Sequence, residues 1–457
     1  MKTRKQKVRI IILSVIILIA LVPWIFILMR YIGVNEASEQ NPGIGENPVQ
    51  TPSPMHSPDL VPERTPMPAP EPTPRRTPEP TPEPEPDERL IDINYENPEL
   101  TEILDNISSQ SNCASVSLVV YDGGKKEYFS YLYGYADVGA KRSLNADTKF
   151  RVASLSKLVT VICAMVLVDK QVLDLDMDIS YYLGYDAINP DFPNTAITVR
   201  MLMQHTSSFY DSDDFQNAAQ GDFTNPVRHL IEADTSYKNY QPGTQYEYSN
   251  FGFSILAAVC EIIYGKKFDT LAREVLFEPM GIDAAYVASR LSDTSNIAAI
   301  YNERHTIRRS VQSLLNTTDS GVLGADIHLA QGNLTISAVD YARILAMLGN
   351  NGVFEGERIL SQQSVREINY PTRRTEFFEL GLSTRRSELL FMPGRTAYWH
   401  TGSAYGAFAQ YVYSVDATNR GIVVVTTGAV NDRLPNGMIR VCTELAEAAW
   451  KNLENGG

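Results

Sequence analysis

Between Asn35 and Asp87 a proline stands every few residues, and most of the chain's 26 prolines fall there. Proline holds φ near about −65° and has no backbone N–H to donate, so neither a helix nor a sheet ladder runs through such a stretch. Its densest part is Arg76-Thr-Pro-Glu-Pro-Thr-Pro-Glu-Pro-Glu-Pro86. The composition predicts a disordered, semi-rigid polyproline II linker over residues 35–90, rising ~3.1 Å per residue. Fully extended, it reaches on the order of 150 Å. A ligand for proline-recognition modules is the other reading of this stretch. Either way, a folded domain is confined to residues 92–457.

The segment before the linker reads as a membrane signal. Residues 1–9 open with the basic run Met1-Lys-Thr-Arg-Lys-Gln-Lys, and Ile10 to Met29 is apolar apart from Ser14 and Pro23. A helix of that length crosses a bilayer core of about 30 Å, and the basic flank stays cytoplasmic. A cleaved signal peptide has a shorter apolar region and a small-x-small site, and none stands close behind Met29. The expectation is a single-pass signal anchor over 10–30, with the domain outside, at the surface of a Gram-positive cell. The net charge of −14, with no basic stripe to offset it, argues against a nucleic-acid partner.

The pattern from residue 92 onward predicts an α+β fold. Pro98 to Ser109 has helical spacing, with Asn97 placed to cap it. Ala114 to Tyr121 and Lys126 to Tyr135 read as a hairpin about Asp122-Gly-Gly, and Ala407 to Val415 with Gly421 to Thr427 as a second. A final helix is predicted over Leu434 to Asn452. Helical segments fill the middle: the run after Ser154, Pro226 to Ala233, Asn250 to Tyr264, Phe268 to Leu276 and Ala338 to Leu348. Residues 283–335 read as irregular. Strands at both ends imply an antiparallel sheet built from both termini, flanked by terminal helices, with a helical domain inserted.

Three short motifs occur in order: Ser154-Leu-Ser-Lys157, Tyr248-Ser-Asn250 and His400-Thr401-Gly402. Ser154 and Lys157 are three apart and share a face of a helix. A lysine that is desolvated or crowded into losing its proton can take one from a serine hydroxyl. Tyr248 is a second proton carrier, and Asn250 an amide that can orient a substrate amide. Small residues in Ser403-Ala-Tyr-Gly406 let a strand edge approach a ligand. Ser-x-x-Lys alone occurs by chance about once or twice in a chain this long. The order, spacing and flanks, Phe150-Arg-Val-Ala-Ser154 among them, carry the argument.

On these motifs the chain resembles the serine β-lactamase and penicillin-binding protein superfamily. It looks most like the branch of class C β-lactamases, D,D-peptidases and esterases that uses Tyr-x-Asn with His-Thr-Gly or Lys-Thr-Gly; the class A pattern is related. Met201-Leu-Met-Gln-His205-Thr-Ser-Ser208 and Gly332-Asn-Leu-Thr335 also fit. The resemblance implies a β-lactamase-like fold with the site in the cleft between sheet and helical domain. It implies Ser154 as nucleophile, with Lys157 and Tyr248 sharing the proton work of acylation and deacylation. Asn250, His400, Thr401, Gly402 and Ser403 would bind substrate, and the backbone N–H groups of Ser154 and Ser403 would hold the oxyanion. Which of Lys157 and Tyr248 is the acylation base stays open. No cofactor or metal is implied.

His400 stands where many relatives have lysine. A neutral imidazole bonds a carboxylate only weakly, so Arg385 or Arg386 is a candidate for the missing charge, set against a reading of both as solvated surface residues. Ser208 stands where the family usually has glycine; if that glycine's backbone is needed, the local turn differs here. His205 reads as a buried hydrogen-bonding residue, and the tyrosines as core edges and cleft walls. If the terminal helices pack together, as the resemblance implies, Cys113 and Cys442 could be bridged. A D-amino-acid-containing cell-wall peptide is the first substrate expectation, a β-lactam the second and an ester the third. A penicillin-binding sensor without turnover is the rival of another class.

Overall fold

The computed structural model describes residues 91–92, 96–218, 223–389 and 391–455. The expected anchor over 10–30 and the whole proline-rich linker over 35–90 lie outside the described residues. Among the described residues no helix is long and apolar enough to cross a membrane.

A ten-stranded sheet forms the frame. Its strands are β1 (Ile91–Asp92), β2 (Ser115–Asp122), β3 (Glu127–Asp137), β4 (Arg142–Ser143), β5 (Arg373–Arg374), β6 (Glu379–Leu380), β7 (Arg385–Glu388), β8 (Thr396–Ala404), β9 (Ala407–Ser414) and β10 (Arg420–Thr427). They run in the order β1-β3-β2-β10-β9-β8-β7-β6-β5, with β4 paired to β3. The N-terminal hairpin thus meets the C-terminal strands along β2 and β10, as the sequence pattern predicts. The sheet is antiparallel except at one edge, where Ile91 and Asp92 run parallel to Glu127 and Tyr128.

Every residue of β2 is buried, because both faces of the sheet are covered. Val116, Leu118 and Val120 point to one side, among Leu100 and Leu104 of α1 (Pro98–Gln110) and Leu445 and Trp450 of α5 (Arg440–Asn455). Val119 and Tyr121 point to the other, into the larger core shared by α2 (Ser156–Asp169), α3 (Asn250–Tyr264) and α4 (Ala338–Gly349). Asn97 caps α1 by accepting from the Leu100 N–H at 3.0 Å.

Several expectations are corrected. The last helix starts at Arg440 rather than Leu434, because Pro435-Asn-Gly437 makes a turn in which Leu434 N donates to Met438 O. Helix Phe268–Ala272 gives way to a wider π-type turn over Arg273–Phe277. Tyr121, Tyr341, Tyr411 and Tyr413 are fully buried core residues, not core edges or cleft walls, while Tyr286 and Tyr405 do line a cleft. Ser208 keeps the left-handed turn of a glycine, at φ 69°, and its hydroxyl accepts from Asn189 at 2.9 Å. Cys113 and Cys442 do share the core beneath the terminal helices, but as free thiols.

All four cysteines are buried and unbridged. Burial pushes the Cys113 thiol up to about 11 and Cys442 well above the usual thiol range, so neither offers thiolate to a reagent at neutral pH. Ellman's reagent should therefore find no fast-reacting thiol in the native chain and four after denaturation without reductant. A count of two in denaturant would show that a bridge forms.

Candidate active site

The short strand Lys149–Arg151 pairs with Thr335–Ser337, and the chain then turns sharply. Ala153 takes φ 50°, a left-handed conformation that residues with a β-carbon rarely adopt. The turn is fastened on two sides. The Ser156 hydroxyl donates to Ala153 O at 2.6 Å and accepts from Leu334 N at 3.1 Å, and Tyr341 donates to Leu155 O at 2.8 Å. A single 3-10 turn, Ala153–Leu155, thus presents Ser154 half-buried just before α2 begins.

One turn on, Lys157 is fully buried. Its Nζ lies 3.3 Å from Ser154 Oγ, and it donates to Asn250 Oδ1 and to Gln331 O, each at 2.7 Å. Both of the latter can only accept: one is a carbonyl, and the Asn250 amide nitrogen is turned to Asp211. A neutral amine has two N–H bonds and one lone pair. With both N–H bonds so engaged, the lone pair is left for the Ser154 hydroxyl. Burial pulls the Lys157 ammonium down to about 7, against the attraction of Asp211. The rings of Tyr248 and Phe253 lie 5.0 and 5.5 Å from Nζ.

Asp211 organises this corner, and motif reading missed it. Its carboxylate accepts from Asn250 N at 2.7 Å, Phe251 N at 3.0 Å and Asn250 Nδ2 at 2.6 Å. It therefore satisfies backbone donors at the start of α3 and fixes which end of the Asn250 amide faces Lys157. The sequence holds only a faint sign of it, an acid three residues past the Ser208 motif.

Tyr248 shares a hydrogen bond with Ser154, but burial pushes its hydroxyl up to about 12. Beneath it lies His205, with ring centroids 4.4 Å apart; His205 is buried and its Nδ1 accepts from Ser249 N at 3.1 Å. His400 is also buried, between Tyr248 and Tyr411, and burial with Arg385 and Lys157 nearby keeps it far below the usual histidine range. Its Nδ1 meets Thr401 O at 2.8 Å, so that nitrogen carries the proton and Nε2 is bare. His400 therefore brings no charge. Arg385 is not a solvated surface residue: its guanidinium lies over Phe378 and Trp399, at 4.7 and 5.1 Å, and acts on Tyr248 and His400. Arg386 pairs with Glu379 at 3.4 Å, away from the site.

The third motif is on β8. The β7 pairing with β8 ends at Arg385 opposite Trp399, so from His400 onward β8 has no strand on that side. The elbow carrying Ser154 fills the place. A β-carbon at Gly402 would lie 2.4 Å from Val152 O and 3.2 Å from Ser154 N, so only glycine permits this approach. Thr401 is buried beside it, and Ser403 follows on the open edge. A cavity of about 510 Å³ opens at Ser154, lined among others by Asn250, Gln331, Ser403 and Tyr405. Ser154, Lys157, Tyr248 and Asn250 are thus brought into one cluster against the β8 edge. Among the described residues no group of His, Cys, Asp or Glu is arranged to hold a metal.

The Beta-lactamase family model matches residues 100–441, well over half of the chain. D-alanyl-D-alanine-carboxypeptidase/endopeptidase AmpH of Escherichia coli (strain K12) is 30% identical over 188 residues, 40% of this chain and 48% of that protein. Penicillin-binding protein 4* of Bacillus subtilis (strain 168) is 27% identical over 182 residues, 38% of each chain. The matched stretch spans less than half of either curated relative. Among solved structures, a class C beta-lactamase aligns with a TM-score of 0.61 at 15% identity, over 77% of this chain and 97% of that one, a likeness of fold. The chain belongs to the Beta-lactamase family, within the superfamily of serine β-lactamases and penicillin-binding proteins.

Proposed function

We propose that this chain is a serine hydrolase that forms an acyl-enzyme on Ser154. Its preferred acyl donor is a D-amino-acid-containing cell-wall peptide, as in a D,D-carboxypeptidase. The observation that carries this reading is the set of contacts around Lys157, which leaves its lone pair for Ser154. Lys157 takes the hydroxyl proton as Ser154 Oγ bonds to the substrate carbonyl carbon. The backbone N–H groups of Ser154 and Ser403 hold the oxyanion. Tyr248 stays protonated near neutral pH and gives its proton to the departing amine, and the proton on Lys157 restores it. Water then attacks the ester, its proton passing to Lys157, and Ser154 leaves protonated.

The chemistry supports Lys157 over Tyr248 as the acylation base, because burial moves the lysine toward neutral pH and the tyrosine away from it. Asn250 orients the substrate amide, and Arg385 supplies beside the site the charge that His400 lacks. Thr401 and Gly402 shape the edge on which substrate lies. The name of the AmpH relative favours a peptide over a β-lactam. Residues 10–30 would anchor the domain outside the membrane, and the proline-rich linker would let it reach the wall.

Intact mass spectrometry with benzylpenicillin tests the nucleophile. Wild type should gain one adduct and Ser154→Ala none; an adduct on the alanine variant would remove Ser154 from the role. A persistent adduct fits a peptidase, and one that clears with penicillin consumed fits a β-lactamase. Lys157→Ala should slow acylation by about 10²–10⁴-fold.

Because a base works only when deprotonated, the wild-type acylation rate should fall tenfold per pH unit below an apparent pKa of about 7. A profile flat from pH 5 to 8 would exclude Lys157 as the titrating base. Asp211→Ala should lose about 1–3 kcal/mol in urea unfolding, since buried donors lose their acceptor. It should also slow acylation by at least about tenfold as Asn250 turns free. An unchanged acylation rate would show that Asp211 does not position Asn250.

A further inference from the structure

The chain carries 54 acidic residues against 40 basic ones, yet the cavity beside Ser154 is lined by Arg151 and Arg309 and by no aspartate or glutamate. Both guanidiniums lie over one ring, that of Tyr405, at 5.0 and 3.8 Å. Neither makes an ion pair among the described residues, whereas Arg200, Arg290, Arg343, Arg395 and Arg420 do. Arg151 is the more enclosed of the two. Its Nε is buried and meets no acceptor among the described residues; burial pulls the group down to about 10, against a hydrogen bond with Tyr405 and with Arg309 adding to the fall. Two like charges held together without a counter-ion are unfavourable unless an anion joins them.

The ring that gathers them is held in an unusual way. Tyr405 and Gly406 form the two-residue turn between β8 and β9, with Ala404 opposite Ala407. Tyr405 takes φ 59°, a left-handed conformation that bulky residues avoid. Gly406 must lack a β-carbon, which would lie 2.1 Å from Tyr301 O. The turn thus directs an aromatic ring, two residues past Ser403, to the arginines.

We propose that Arg151 and Arg309, gathered on Tyr405, form a subsite for a carboxylate on the acyl part of the substrate. The enzyme then selects acidic acyl donors. The assignment to the acyl part rests on the lining: Asn250, which in the proposed reaction orients the substrate amide, borders this cavity with Ser154 and Ser403, and Tyr248, the proposed proton donor to the leaving group, is not among its lining residues. Arginine suits a carboxylate because its planar fork of N–H groups matches two oxygens. This inference deepens the acyl-transfer reading and rests on it for the placement of the acyl group.

The test uses the full chain and two peptides that differ only in a terminal carboxylate: N-glutaryl-D-alanyl-D-alanine and N-pentanoyl-D-alanyl-D-alanine. Calorimetry on Ser154→Ala should find the glutaryl peptide bound at least about tenfold more tightly. Arg309→Gln, added to that background, should bring the ratio close to one; Arg309 sits half-buried on a short outer strand, where the change is tolerated. Equal affinities in Ser154→Ala, no binding of either peptide, or a preference that survives Arg309→Gln would each overturn the subsite. Wild-type turnover separates the two readings. A glutaryl preference in binding with no acyl-Ser154 would keep the subsite and remove the acyl-transfer reading. Acylation by both peptides with equal affinity would do the reverse.

Discussion

A lysine side chain taken out of water either finds acceptors for its three N–H bonds or gives up a proton. Lys157 is completely enclosed and finds two acceptors, Asn250 Oδ1 and Gln331 O, with Ser154 Oγ as its third neighbour. The rest of the site depends on that arrangement. Asn250 comes from the start of α3, Gln331 from the segment leading to Thr335–Ser337, and Ser154 from the turn before α2. Three parts of the helical region must therefore pack correctly before the lysine has its partners. Asp211 secures the least constrained of them, since an asparagine amide could otherwise present its NH₂ end to the lysine.

The sheet enters through contact with the elbow. Gly402 lets β8 lie against Val152 and Ser154, at the point where β7 has ended and the strand has an open side. The left-handed backbone at Ala153 is sustained by bonds from Ser156 and Tyr341, so strain is concentrated at the residue before Ser154. Positive charge is kept just off the reacting atoms. Arg385 stands by Tyr248 and His400 and the Arg151–Arg309 pair by the cavity, while His205 and His400 are buried in neutral form. In a chain of net charge −14, this gives the cleft a local sign opposite to that of the whole.

Much of this was legible in the sequence. Burial of β2 and β10 on both faces leaves continuous apolar runs, and the hairpin turns between strands carry glycine or asparagine, so the two-ended sheet was readable. Ser154, Lys157, Tyr248 and Asn250 could be named because their chemistry requires those residue types at short spacings. Asp211 could not, because its role is set by where α3 begins in space, and a lone aspartate in a loop has many uses. The same holds for Arg309, which reaches the cleft from an irregular segment. Arg151 and Tyr405 lie within the motif segments, but nothing local shows that the two meet across the cleft. The start of the last helix was misplaced because apolar spacing continues through Pro435-Asn-Gly437, where turn chemistry prevails. The thiol state of Cys113 and Cys442 was beyond reach, since proximity in a core does not decide whether a bridge forms.

The central claim is that Lys157 is a neutral amine near physiological pH, and its titration can be observed directly. Lysine labelled with ¹³C at Cε, followed by NMR from pH 5 to 11 and assigned by comparison with Lys157→Arg, reports the charge on this one group. The account predicts a midpoint at about 7. A midpoint near the ordinary lysine value of about 10.4 would show an ammonium held by Asn250 and Gln331, and would return the role of base to Tyr248.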